Sequence, residues 1–252
     1  MRDILVTLIV FGSLPVILVS PYVGILVWSW LGYMNPHRLG WGFAYDFPFA
    51  LCVGVVTLAG VLFSREPKRI PATALTTVWF LFVGWMVFTT LFALYPNEAW
   101  VQCAKVLKIQ LMTIATIVVI NSRERLRMLI WVIVASLGYY GVKGGVFTIL
   151  TGGDHRVWGP PGTFVEGNNE IALALLMILP LMHYLRMTSV NRWVRAGLLV
   201  AMGLCAFGTW AELQCLSPSG LRNLRSLSRA NGLTTKASSS RSLLRRSKPS
   251  NA

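Results

Sequence analysis

Residues 152–180 read GGDHRVWGPPGTFVEGNNEIALALLMILP. The first half is polar, rich in Gly and Pro, and charged at Asp154, Arg156 and Glu166. From Ile171 the run is apolar through Pro180 and beyond. The sequence on either side is almost wholly apolar, so this stretch reads as a structured polar loop feeding an apolar helix. That is a setting in which a membrane protein holds a polar ligand or performs chemistry. Asn168 and Asn169 stand at the junction, where asparagine caps a helix start well. A plain capped loop accounts for the same residues equally well.

Outward from that stretch, the composition sets the class. Of 252 residues, 55% are hydrophobic and 13% charged, and apolar runs recur at a length that spans a hydrocarbon core. The alternating ten-residue strands of a membrane β-barrel are not seen. The expected fold is therefore all-α: a polytopic helical integral membrane protein with about seven or eight transmembrane helices. The net charge of +14 divides unevenly. Residues 1–213 carry 15 Lys/Arg against all 9 Asp/Glu, whereas residues 214–252 carry 8 Lys/Arg and no acid. Basic loops beside membrane spans explain the first part without nucleic acid as a partner. Cys52, Cys103, Cys205 and Cys215 show no metal-ligand or redox spacing, and the first three read as small apolar residues.

Residues 4–19 read as an uncleaved first span, broken at Ser20-Pro21, with a short apolar run over 21–34. The later spans are expected near 47–63, 73–94, 101–120, 129–150, 170–186 and 196–213. The loops between them sort by charge. Arg65, Lys68 and Arg69 fall in 64–71; Arg123, Arg125 and Arg127 in 121–128; Arg186, Arg192 and Arg195 in 186–195. Loops 95–100 and 151–169 hold Arg156 as their only Lys or Arg. The positive-inside rule places the three basic loops in the cytoplasm and the others, with the aromatic segment 35–46, outside. In a bacterium the outside is the periplasm.

Lys105 and Lys108 lie three apart near the outer end of span 101–120, and so share a helix face. Lys143 lies in the outer third of span 129–150, before Gly144-Gly145. A lysine inside a membrane is costly and usually faces a cavity or partner. Together with Arg38 and Arg156 these lysines form a candidate outer-leaflet ring of positive charge, suited to a lipid-linked pyrophosphate. Snorkelling of each lysine to the interface is the competing account. Gly159, Phe164, Asn168 and Asn169 are the residues expected to shape the adjoining loop.

Beyond Trp210 the character changes. Residues 211–252 have no aromatic residue, and ten of the 42 are serine. Low hydrophobicity with high charge predicts disorder. The chain thus divides into a transmembrane region, 1–213, and a basic Ser/Arg/Leu tail, 214–252. A basic tail on the outside breaks the charge rule that every earlier loop obeys, and we expect it to be an out-of-frame read-through.

The segments MRDILVTLIVFGSLP (1–15), WSWLGYMNPHRLGWGFAYDFPFA (28–50), the Lys105-Val106-Leu107-Lys108 helix and VWGPPGTFVEGNNEIALALLMILPL (157–181) resemble the O-glycosylation ligases associated with the exosortase A system. These belong to the O-antigen ligase and polymerase superfamily. The resemblance covers about residues 1–209, the N-terminal half of such an enzyme. It implies a multi-pass protein of the bacterial inner membrane that takes a glycan from undecaprenyl pyrophosphate. The glycan passes, on the periplasmic face, to a polysaccharide or an exosortase-sorted protein acceptor. No nucleotide or metal cofactor is implied. In related ligases the catalytic histidine and a key arginine lie in the second half. None of His37, His155 and His183 matches that position, so no catalytic residue is assigned and the chain as written is expected to be truncated and inactive. The non-enzyme alternative is a membrane component of polysaccharide export or of the exosortase system.

Overall fold

The computed structural model describes residues 2–39, 42–45, 47–64, 73–151, 159, 163 and 166–215. All regular secondary structure among them is helical: α1 (Arg2–Val19), α2 (Pro21–Met34), α3 (Phe49–Phe63), α4 (Ala74–Leu91), α5 (Pro96–Val119), α6 (Arg123–Thr151), α7 (Asn168–Thr188) and α8 (Arg192–Cys215), with one 3-10 turn at Pro36–Leu39. The all-helical architecture expected from the apolar runs is present. Among the described residues four helices are long and apolar enough to cross a membrane: Ala74–Leu91, Pro96–Val119, Arg123–Leu150 and Asn169–Thr188. Asp3–Val19 and Phe49–Phe63 are apolar but shorter. The tail beyond Cys215 lies outside the described residues.

The boundaries follow local chemistry. Pro21 and Pro96 open α2 and α5, where a missing N–H costs nothing. The Thr73 hydroxyl accepts from Thr76 N at 3.3 Å to cap α4. Ser122 Oγ accepts from Arg125 N at 3.2 Å, and Asn191 Oδ1 from Trp193 N at 2.9 Å, satisfying first-turn N–H groups of α6 and α8. α5, α6, α7 and α8 therefore start earlier than the apolar runs alone indicated. Arg123, Arg125 and Arg127 stand in the first turns of α6, Arg192 and Arg195 in those of α8, and Arg186 in the last turn of α7.

These arginines also close helix ends. Arg125 Nη1 donates to Val119 O at 2.9 Å, and Arg127 Nη2 donates to Thr188 O at 3.2 Å. Each reaches a C-terminal carbonyl, of α5 and α7 respectively, that has no partner in its own helix. The basic turns thus tie the ends of α5, α6 and α7 together at one end of the bundle, with α8 starting beside them.

Two clusters make up most of the core. α1, α2 and α3 enclose Val6, Val10, Ile17, Leu31, Phe49 and Val53. α6, α7 and α8 enclose Val134, Leu137, Ile171, Leu175, Ile178, Met182 and Cys205. A third cluster around Ile25 and Met112 joins α2 to α5. Small residues set the approach of the helices, the usual device where lipid supplies no hydrophobic drive between them. A Cβ on Gly145 would lie 2.5 Å from Leu204 O of α8, and one on Gly60 2.9 Å from Ile17 O of α1. Cys103 and Cys205 are buried and Cys52 is half-buried, consistent with apolar packing roles. α4 stands apart: none of its residues is buried, and its packing is against α5, where Trp79 Nε1 donates to Gln110 Oε1 at 2.9 Å.

Candidate functional site

The helix break at residues 35–39 is the best-defined polar feature. α2 ends because Pro36 follows Asn35, and Asn35 takes the left-handed conformation at φ 46° that asparagine tolerates better than most residues. Its N–H donates to Leu31 O at 3.1 Å, and its Nδ2 to Gly32 O at 2.8 Å. Arg38 N donates to Asn35 O at 3.0 Å, closing the 3-10 turn. The Tyr140 hydroxyl of α6 donates to Met34 O, another carbonyl left over at the α2 terminus. Arg38 lies over the Tyr45 ring, 5.3 Å from its centroid.

This turn sits at an unexpected depth. At the basic end, Tyr22 near the α2 start contacts Arg125 in the first turn of α6, its hydroxyl donating to Arg125 O at 3.5 Å. At the other end α2 stops level with Tyr140, eleven residues short of Thr151. At about 1.5 Å per residue, that is roughly 17 Å below the end of α6. α2, with 14 residues, is only about 21 Å long, against a hydrocarbon core of about 30 Å. The polar turn is thus recessed into the bundle. Non-helical backbone at such a depth is tolerated where protein buries it or where it lines a polar cavity.

His37 is the residue that sequence reasoning did not single out. It is 8% exposed, its ring lies 5.8 Å from that of Phe49, and among the described residues its Nδ1 has no hydrogen-bond partner. Burial, and secondarily the charge of Arg38, lower its pKa below the ordinary histidine value. It is a neutral imidazole held in an apolar and aromatic setting. The legible signal was the short α2 run ending in Asn-Pro, which places the histidine inside the bundle.

The cations expected to form a ring are placed as follows. Lys143 lies on α6, three residues beyond Tyr140 and so close to the depth of the polar turn that carries Arg38. Lys105 and Lys108 are exposed on α5. Because Pro96 starts α5 earlier than the apolar run indicated, Lys108 falls at the middle of that helix and not near its outer end; Lys105 is one turn nearer the end. α2 packs against both α5, which carries Lys105 and Lys108, and α6, which carries Lys143. Arg156 and Phe164 lie outside the described residues.

Gly159 N donates to Glu166 O at 3.0 Å, joining two positions in the second half of the polar loop. Gly167 is the N-cap, and Asn168 and Asn169 are the first two helical residues. The Glu170 carboxylate folds back against Gly167, where a Cβ would meet it, as the N3 acid does in a capping box. Gly167 thus holds the N-cap position expected of the asparagines.

A second concavity lies between α6, α7 and α8. It measures about 410 Å³ and is lined by Trp131, Val134, Ala135, Gly138, Tyr139, Val142 and Lys143 of α6, Met182 of α7, and Leu198 and Ala201 of α8. Apart from Lys143, its surface is apolar. Among the described residues no cluster of three or more His, Cys, Asp or Glu is placed to hold a metal ion.

The chain belongs to the family of unknown function DUF5935. The family's model matches residues 1–190, which include α1 to α7, the recessed turn, Lys143 and the polar loop. No curated protein and no solved structure matches the chain.

Proposed function

We propose that this protein is a membrane-embedded, O-antigen-ligase-like glycan ligase. It engages a glycan carried on undecaprenyl pyrophosphate at the periplasmic face of a bacterial inner membrane, for transfer to a protein or polysaccharide acceptor. On this reading the eight helices cross the membrane, the basic turns face the cytoplasm, and the recessed turn and polar loop face the periplasm. The observation that carries it is the common depth of the Asn35–Pro36–His37–Arg38 turn and Lys143 within an otherwise apolar bundle. The motifs of residues 28–50 and 157–181 that resemble such ligases support it.

In the reaction an acceptor hydroxyl attacks the anomeric carbon of the donor sugar. The bond from that carbon to the pyrophosphate oxygen breaks, undecaprenyl pyrophosphate leaves, and the hydroxyl proton passes to a base. Negative charge grows on the leaving pyrophosphate, so fixed cations stabilise the transition state more than the ground state. Lys143 and Arg38 are the cations proposed for this work, with Lys105, Lys108 and Arg156 as further members of the proposed set. No base is assigned, because His37 is too buried for its Nδ1 to meet an acceptor in this conformation.

The test is glycan transfer in cells that depend on this gene, with Lys143→Ala, Lys105→Ala and Arg156→Ala each compared with wild type at matched membrane abundance. Loss of transfer by about tenfold or more for at least one of them is expected. Unchanged transfer in all three overturns the cation set. Accumulation of unmodified acceptor is the expected cellular sign.

A further inference from the structure

Lys108 stands at the middle of α5, on its exposed side. It lies twelve residues from Pro96 and eleven from Val119, about 18 Å and 16 Å along the axis. α5 is about 36 Å long, so centring it in a hydrocarbon core of about 30 Å puts Lys108 roughly 13–15 Å from either boundary. A lysine stem reaches about 6 Å, so snorkelling still leaves the ammonium well inside the core. Val101, Ala104 and Leu111, on the same face of the helix, are exposed as well. α4, which packs on α5, has no buried residue. An ammonium at that depth is costly unless an anion or a polar partner meets it.

We infer that the exposed side of α5 docks a transmembrane helix of another protein, one that carries an Asp or Glu near its own midpoint and pairs it with Lys108. Depth selects this occupant. The phosphate of a bilayer lipid sits at the boundary, beyond the reach of Lys108, and an acyl chain brings no charge to the centre. A second copy of this chain has no carboxylate to offer at that level. Asp3, Glu98, Glu124 and Glu170 lie in the first turns of their helices, and Glu212 lies in the last turn of α8. The other four acids of the sequence fall between helices. A twofold pairing of α5 with itself would also set Lys108 against Lys108. The inference does not rest on the donor reading, which Lys143 and Arg38 carry; of the proposed cation set it reassigns Lys108.

The experiment uses the whole protein in phosphatidylcholine vesicles, in mildly alkaline buffer, with a designed single-span Leu/Ala helix bearing one Glu at its midpoint. Association is read by fluorescence energy transfer between protein and peptide, against the same peptide with Gln in place of Glu. The Glu peptide should bind about tenfold tighter, the effect of one charge-assisted contact. Lys108→Gln should abolish that preference and Lys108→Arg should keep it, both at the melting temperature of the wild type. The comparison of the two peptides on the wild type needs no variant to fold. Equal binding of the two peptides, or a preference that survives Lys108→Gln, overturns the inference. A preference that vanishes when phosphatidylglycerol is added shows a lipid phosphate at Lys108 and overturns it too. So does transfer between copies of the protein that the Glu peptide fails to displace, which shows a second copy on this face. The donor reading stands or falls separately, on glycan transfer.

Discussion

His37 and Tyr140 are the two side chains in which packing and polar chemistry meet most directly. The folded state lowers the pKa of His37, so it holds the neutral imidazole more firmly than the unfolded chain does. The unfolded state therefore binds more protons as acid is added. The stability that His37 contributes is complete above its ordinary pKa of about 6.5 and is lost progressively below it. The melting temperature of the wild type should fall between pH 7 and pH 5, and His37→Gln should flatten that fall relative to wild type. The comparison between the two removes the contribution of His155 and His183, which both proteins share. Parallel curves would show that the buried imidazole is not the titrating group. At Tyr140, loss of the hydroxyl leaves Met34 O without its donor at the end of α2. Tyr140→Phe should cost roughly 1 kcal/mol, measured by denaturation in detergent, because one hydrogen bond is lost and the ring is kept.

At the scale of elements, glycine notches decide which helices touch. Gly145 faces the backbone of α8, and a Cβ there would sit 2.5 Å from Leu204 O, an atom that cannot rotate away. Gly145→Leu should separate α6 from α8 and lower the melting temperature by several degrees, an effect of the size expected for overpacking, about 1–3 kcal/mol. Gly84 on α4 has nothing within 4 Å of the same construction, so Gly84→Leu should leave stability nearly unchanged and serves as the control. Helix existence was legible from the apolar runs at every one of these places. Helix starts were not, because Pro96, Ser122 and Asn191 extend the helices into polar sequence that hydropathy leaves out. That extension moves Lys108 to the middle of α5. The depth of a charge depends on where its helix begins, and the apolar run does not mark that point.

For the molecule as a whole, the basic turns and the polar loops lie at opposite ends of the bundle. In a background with its four cysteines changed to alanine, Asn121→Cys and Asn191→Cys should react with an impermeant thiol reagent from one side of the membrane. Asn169→Cys should react from the other. Labelling of all three from the same side would rule out the proposed crossing of the membrane by all eight helices. The two main clusters, α1 to α3 and α6 to α8, meet through α2, which packs against α3 and α6 and brings the recessed turn to the depth of Tyr140. The candidate site is thus a product of two helical groups meeting, and its cations come from helices far apart in the chain.

The sequence by itself determined the class of this protein and most of its helices, because a long apolar run carries its own backbone hydrogen bonds and needs no partner to be helical. It also marked Lys143 and Arg38 as charges in apolar company. Tertiary structure alone decided the burial of His37 and the start of α7 at Gly167 rather than at its asparagines. It alone revealed the groove that Lys143 faces. Each of these depends on which helices are neighbours and how far one has slid along another, and periodicity within a single helix carries no record of either.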